Sequence, residues 1–103
     1  MQAAVQNKAS LFSRLQANGE KLKSFGVSNM SVFGSFTTGK LHTDSDVDLL
    51  VEFDPLKKNY DNFMDLSFFL EDLLGRKVEV VTPQSLSKFI GPHILSQAEN
   101  VSF

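Results

Sequence analysis

The 103-residue chain has no cysteine, no tryptophan, one tyrosine and three prolines. Without cysteine there is no disulfide staple, no zinc–thiolate site and no thiol nucleophile. The same absence fits a reducing, cytoplasmic setting. No apolar run approaches the ~20 residues needed to span a bilayer, so no membrane association is expected. The opening residues, MQAAVQNKASLF, lack the apolar centre of a signal peptide. Neither sign of charge dominates, with 10 Lys+Arg against 12 Asp+Glu and a net charge of −2. Direct nucleic-acid binding is therefore not expected. Internal repeats and low-complexity tracts are absent as well.

What is present has ordinary globular proportions, 42% hydrophobic and 21% charged, and residues 1–103 read as one domain. A chain this long buries about two-thirds of its unfolded surface, enough for one modest core. Ten phenylalanines suggest that Phe supplies much of it.

The apolar spacing predicts a helix over 3–25, with Leu11, Leu15, Leu22 and Phe25 on one face. Gly19 weakens its middle and Gly26 suits its end. Lys8, Arg14, Lys21 and Lys23 read as its wet face. Residues 29–33 read as a short strand stopped at Gly34-Ser35, and 37–43 as a turn around Gly39. The strongest strand is 46–53, DVDLLVEF, closed by Pro55. Residues 62–74 form an amphipathic helix with Phe63, Leu66, Phe69, Leu70, Leu73 and Leu74 as its stripe, capped by Gly75. Residues 77–82 read as a strand ended by Pro83. A last helix over about 84–97, starting at Ser85 or Ser87, is interrupted at Gly91-Pro92. This order predicts an α/β or α+β domain with helices on one small sheet.

Charge is unevenly placed. Residues 1–40 carry a net +4, whereas 44–54 hold Asp44, Asp46, Asp48, Glu52 and Asp54 with no base. Either water screens these acids or a cation sits among them. Asp46 and Asp48 are two apart on a strand, so both leave one face while Val47, Leu49 and Val51 can be buried on the other. Two carboxylates on a rigid strand suit a hard divalent ion such as Mg²⁺, completed by water and phosphate. An EF-hand fails on the same residues, because Leu49 stands where the loop needs Gly and Pro55 where it needs Glu.

Gly34-Ser35 follows a strand directly, and Gly lets a ligand approach the backbone. Amides at the start of the next turn, with the Ser35 hydroxyl, can cradle phosphate. Glu79 is an isolated acid in a valine strand. Pairing of that strand beside 46–53 would let Glu79 join Asp46 and Asp48, enough for two metals about 3.5–4 Å apart in a nucleotidyl displacement. His42 and His93 read as surface or packing residues.

Gly34-Ser35, Ser45-Asp46-Val47-Asp48-Leu49-Leu50-Val51 and Lys77-Val78-Glu79-Val80-Val81 together resemble the minimal nucleotidyltransferase family, the small branch of the DNA polymerase beta-like nucleotidyltransferase superfamily. The resemblance runs from about Phe25 to Glu99, and Ile90–Ala98 is similar to the family's last helix. It implies a small mixed β-sheet flanked by helices. It implies that Gly34 and Ser35 hold nucleotide phosphates, that Asp46 and Asp48 bind Mg²⁺, and that Glu79 takes the third carboxylate position and helps activate an acceptor hydroxyl. Many members are antitoxins paired with a HEPN-type RNase toxin, and some transfer AMP from ATP to a toxin tyrosine.

The chain departs from the family pattern in two places. Thr37-Thr38-Gly39 stands where Ala-Arg-Gly is usual, so Thr38 replaces the motif arginine, and Lys40 is the nearest candidate to offer charge to the nucleotide. Lysine brings a point charge without the bidentate fork. Glu79 stands where Asp is more usual. Two functions remain open at this point: a Mg²⁺-dependent transferase using ATP or another NTP, and a nucleotide-binding antitoxin, weak or silent in catalysis, that neutralises a partner by binding. Self-association is left open too.

Overall fold

The computed structural model describes residues 3–40, 45–86, 88 and 91–103. His42, Asp44 and Ser87, which figure in the expectations above, lie outside the described residues, as do the end of the 37–43 turn and Ile90.

The chain runs α1 (Lys8–Ala17), α2 (Gly19–Ser24), β1 (Val27–Phe33), the single turn α3 (Ser35–Thr38), β2 (Val47–Phe53), α4 (Tyr60–Leu74), β3 (Val78–Val81), a 3₁₀ turn (Pro83–Ser85), α5 (Gly91–Gln97) and β4 (Glu99–Asn100). Four strands form one sheet in the order β3-β2-β1-β4. β1 pairs antiparallel with β2 and β4, and β2 pairs parallel with β3 across the α4 crossover. The sheet is therefore mixed and flanked by helices, as the resemblance implies. No helix among the described residues is long and apolar enough to cross a membrane.

Local chemistry sets the ends of the longer helices. Asn7 caps α1 by accepting from the Ser10 amide at 2.8 Å, and Asn59 caps α4 by accepting from the Asn62 amide at 2.8 Å. Gly75, left-handed at φ 65°, closes α4. The first helix differs from the expected single span of 3–25. Residues before Asn7 run instead beside α4, where the Val5 amide donates to the Leu74 carbonyl at 3.0 Å. The helix also breaks at Asn18, and a Cβ on Gly19 would meet the Phe103 Cβ at 2.6 Å. Gly19 is thus the space into which the last residue packs, a demand that local spacing does not reveal.

The core is aliphatic, which corrects the Phe-rich expectation. Leu11, Leu15, Leu22, Met30, Val32, Leu49, Val51, Leu66, Leu70 and Leu74 are fully buried, while Phe36 is the buried phenylalanine among the described residues. Phe12, Phe25, Phe53, Phe69 and Phe103 pack around its margin, and Phe68 is exposed. Rings of this size fit a small interior less readily than branched aliphatics, so they wedge at the edges, as Phe25 does against Phe69 at 5.4 Å. β4 was not foreseen: two polar residues carry no strand pattern, and they pair only because β1 offers a free edge.

Candidate active site

β2 alternates as the pattern required. Val47, Leu49 and Val51 are fully buried against the helices, and Asp48 leaves the opposite face. Asp48 is opposite Phe33 of β1 on one side and Glu79 of β3 on the other. Register alone therefore brings Glu79 beside Asp48, as expected if the two strands were neighbours. Asp46 lies immediately before β2 and is exposed. Leu50, next on the face of Asp48, is buried, so the acids occupy the open end of a face that closes further along.

Gly34 ends β1 with φ 77° and ψ −146°, a conformation that side chains rarely adopt. A Cβ there would collide with Asp48 Oδ2 and lie 3.1 Å from its Cγ. The Asp48 carboxylate occupies the space a side chain at position 34 would need. The backbone then turns into α3, where the Thr37 and Thr38 amides both donate to the Gly34 carbonyl at 3.0 Å. In such a turn the first amides, those of Ser35 and Phe36, have no intrahelical acceptor. Ser35 is half-buried next to the notch. Thr38 and Lys40 are exposed, one turn further on.

The acids repel each other. Asp48 is raised from 3.8 to about 6, first by burial, then by the Glu79 charge and a hydrogen bond with the Glu79 side chain, and last by Asp46. In the metal-free protein Asp48 thus keeps its proton above the usual carboxylate range. A cation would relieve the same strain. All the donors are carboxylate oxygens, which suit Mg²⁺ rather than a softer metal. Among the described residues no three His, Asp or Glu side chains converge into a ready-made ligand cage. That suits an ion that keeps its waters and takes further oxygens from substrate phosphate.

Arg76 was not foreseen from the sequence. It follows the Gly75 cap and is only 7% exposed. Its Nε donates to the Val5 carbonyl at 2.7 Å and its Nη1 to the Ser45 carbonyl at 3.0 Å. Its guanidinium lies 5.4 Å from the Phe36 ring centroid. The available signal was weak: one arginine beside a helix cap, with nothing local to mark it as buried.

Comparison with known proteins agrees with the fold. Residues 15–101 match the family described as Nucleotidyltransferase domain. The protein adenylyltransferase MntA of Thermococcus cleftensis is 38% identical over 84 residues, covering 81% of this chain and 84% of the relative. A solved structure assigned as a minimal nucleotidyltransferase superposes with a TM-score of 0.80 at 29% identity, covering 94% of this chain and 98% of the other. A tri-AMPylated Shewanella oneidensis HEPN toxin in complex with MNT antitoxin supplies a more distant fold match, with a TM-score of 0.56 at 18% identity over 84% of this chain and 71% of the other.

Proposed function

The chain belongs to the nucleotidyltransferase domain family, and from that premise we propose that it transfers AMP from ATP to a hydroxyl on a separate protein of the HEPN toxin kind. The choice of AMP follows the Thermococcus relative, an adenylyltransferase by name. The choice of partner follows the Shewanella complex, whose HEPN toxin carries AMP. The observation that carries the reading is the notch at Gly34, filled by the Asp48 carboxylate at the spot where the phosphate-binding turn begins.

In this reading Gly34 leaves room for the Asp48 carboxylate beside the turn, and the Ser35 amide and hydroxyl donate to the phosphates. Lys40, exposed one turn on, adds positive charge. Asp46 and Asp48 would hold Mg²⁺, with Glu79 extending the set toward a second ion, and the metal would neutralise charge on the transferring phosphoryl group. The acceptor hydroxyl oxygen forms a bond to the α-phosphorus. The bond from that phosphorus to the bridging oxygen breaks, and pyrophosphate leaves. The hydroxyl proton passes to Glu79, which the parallel register of β2 and β3 sets beside Asp48.

Thr38 favours a second reading, in which the same fold binds nucleotide and neutralises its partner without transfer. An exposed threonine supplies no charge to a phosphate. One experiment separates the two: incubation with ATP, Mg²⁺ and a HEPN partner, followed by intact mass of both chains. Gain of AMP on the partner, lost in Asp48→Asn, supports transfer. A neutralised partner of unchanged mass supports binding alone.

A further inference from the structure

Asp46 is the least anchored of the acids, exposed and just outside β2. Its two flanking peptides are nevertheless both held. The carbonyl before it, of Ser45, accepts from Arg76 Nη1 at 3.0 Å, and the amide after it, of Val47, donates to the Lys77 carbonyl at 2.9 Å. Both partners come from the short link between α4 and β3. The other side of the site is α3, a single turn with no side-chain cap and an open left-handed Gly39 at its end. Its buried residue, Phe36, has the Arg76 guanidinium 5.4 Å from its ring centroid. One planar, permanently charged group therefore touches the segment that presents Asp46 and the turn that presents Gly34 and Ser35.

We propose that Arg76 is a positioning residue that fixes the phosphate-binding turn and the Asp46 backbone relative to each other. The proposal rests on the transfer reading given above. Arg76 spans the gap between the two segments with one directed hydrogen bond, to the Ser45 carbonyl, and with its guanidinium against the Phe36 ring. A second bond, from Nε to the Val5 carbonyl at 2.7 Å, holds the guanidinium against the chain before α1. Lysine keeps the charge but loses the fork and the flat face, so it cannot hold both segments at once.

The test uses Arg76→Lys in the full chain, with Val5→Ala as a control that loosens core packing near the same arginine while leaving the backbone acceptor in place. Transfer of AMP from ATP and Mg²⁺ to a HEPN partner is measured per folded molecule. Arg76→Lys is expected to lower kcat by about tenfold or more, since small misplacements of reacting groups are costly, with KM for ATP within about threefold. Val5→Ala is expected to lower Tm yet keep kcat within about twofold. Amide NMR shifts should change together at Ser35–Phe36 and at Asp46–Val47 in Arg76→Lys. Unchanged kcat per folded molecule, or shifts confined to Val5 and residues 75–78, would overturn the proposal. If wild type transfers no AMP, the transfer reading fails, and the NMR comparison alone decides whether Arg76 couples the two segments. If Arg76→Lys does not fold, Phe36→Leu takes its place: shifts at Asp46 support the coupling, and an unmoved Asp46 refutes it.

Discussion

Replacing Asp48 by asparagine should make the metal-free protein more stable while destroying its activity. In the native fold Asp48 holds its proton up to about pH 6, against 3.8 for an ordinary aspartate. A folded acid with a raised pKa binds protons more tightly than the unfolded chain does. Its contribution to stability is therefore favourable at low pH and declines as pH rises between those two values. The rise of about two units corresponds to about 3 kcal/mol at 1.36 kcal/mol per unit. Water reaches this open site and screens the charge, which reduces the figure to about 1–2 kcal/mol. The asparagine amide is neutral at every pH, fills the same notch and can still hydrogen-bond Glu79. In EDTA at pH 8, urea unfolding should place Asp48→Asn about 1–2 kcal/mol above wild type, or some 4–8 °C in Tm per kcal/mol for a domain of this size. The advantage should shrink to about a third at pH 4.5 and vanish below pH 3.8. Saturating Mg²⁺ should raise wild type and leave the mutant unmoved, closing the gap from the other side. A mutant no more stable than wild type at pH 8, or an advantage independent of pH, would refute the account of Asp48 as a site of stored repulsion.

Gly34→Val should abolish ATP binding and cost at least about 2 kcal/mol of stability, because it strains a positive-φ position and drives a side chain into the Asp48 carboxylate; calorimetry with ATP and Mg²⁺, beside thermal unfolding, reads both. Ser35→Ala should weaken ATP binding by about three- to tenfold, equivalent to one lost hydrogen bond of roughly 0.5–1.5 kcal/mol, as the same calorimetry would record. Glu79→Gln should lower the transfer rate by about 10²-fold or more while leaving ATP affinity within about threefold, as a proton acceptor does and a phosphate ligand does not; rapid-quench turnover against the binding constant separates the two. Leu70→Ala, at a fully buried position, should cost about 2–5 kcal/mol in urea unfolding without changing kcat per folded molecule.

The parts of the site that were legible in the sequence are those with a strict short period. Alternation in DVDLLVEF is enough to place Asp48 opposite a buried Val47–Leu49–Val51 face, and Gly34 marks its own turn. Glu79 is legible conditionally, because its role depends on which strands are neighbours, and the chain settles that through the α4 crossover. Arg76, the Gly19 break and β4 are illegible for a common reason. Each is set by a residue far along the chain: Ser45 is 31 positions from Arg76, Phe103 packs where Gly19 has no side chain, and β4 pairs with a strand far earlier in the chain. Phenylalanine is overweighted by any count of hydrophobic residues, because a count does not ask which shapes fill a thin interior.

The parallel register of β2 and β3 has an evolutionary corollary. Asp48 meets Glu79 because the pleats of two neighbouring strands are in phase, and phase is indifferent to the length of what joins them. The exposed stretch from Pro55 to Asn59, before α4, can thus gain or lose residues in diverging relatives with little consequence for the chemistry. A single residue inserted between Lys77 and Glu79 would have a different effect. It would rotate Glu79 to the side where Val78 now packs, bury a charge in an aliphatic interior and leave Asp48 with a valine for company. Length variation among descendants of this fold should therefore collect in the first stretch and be purged from the second.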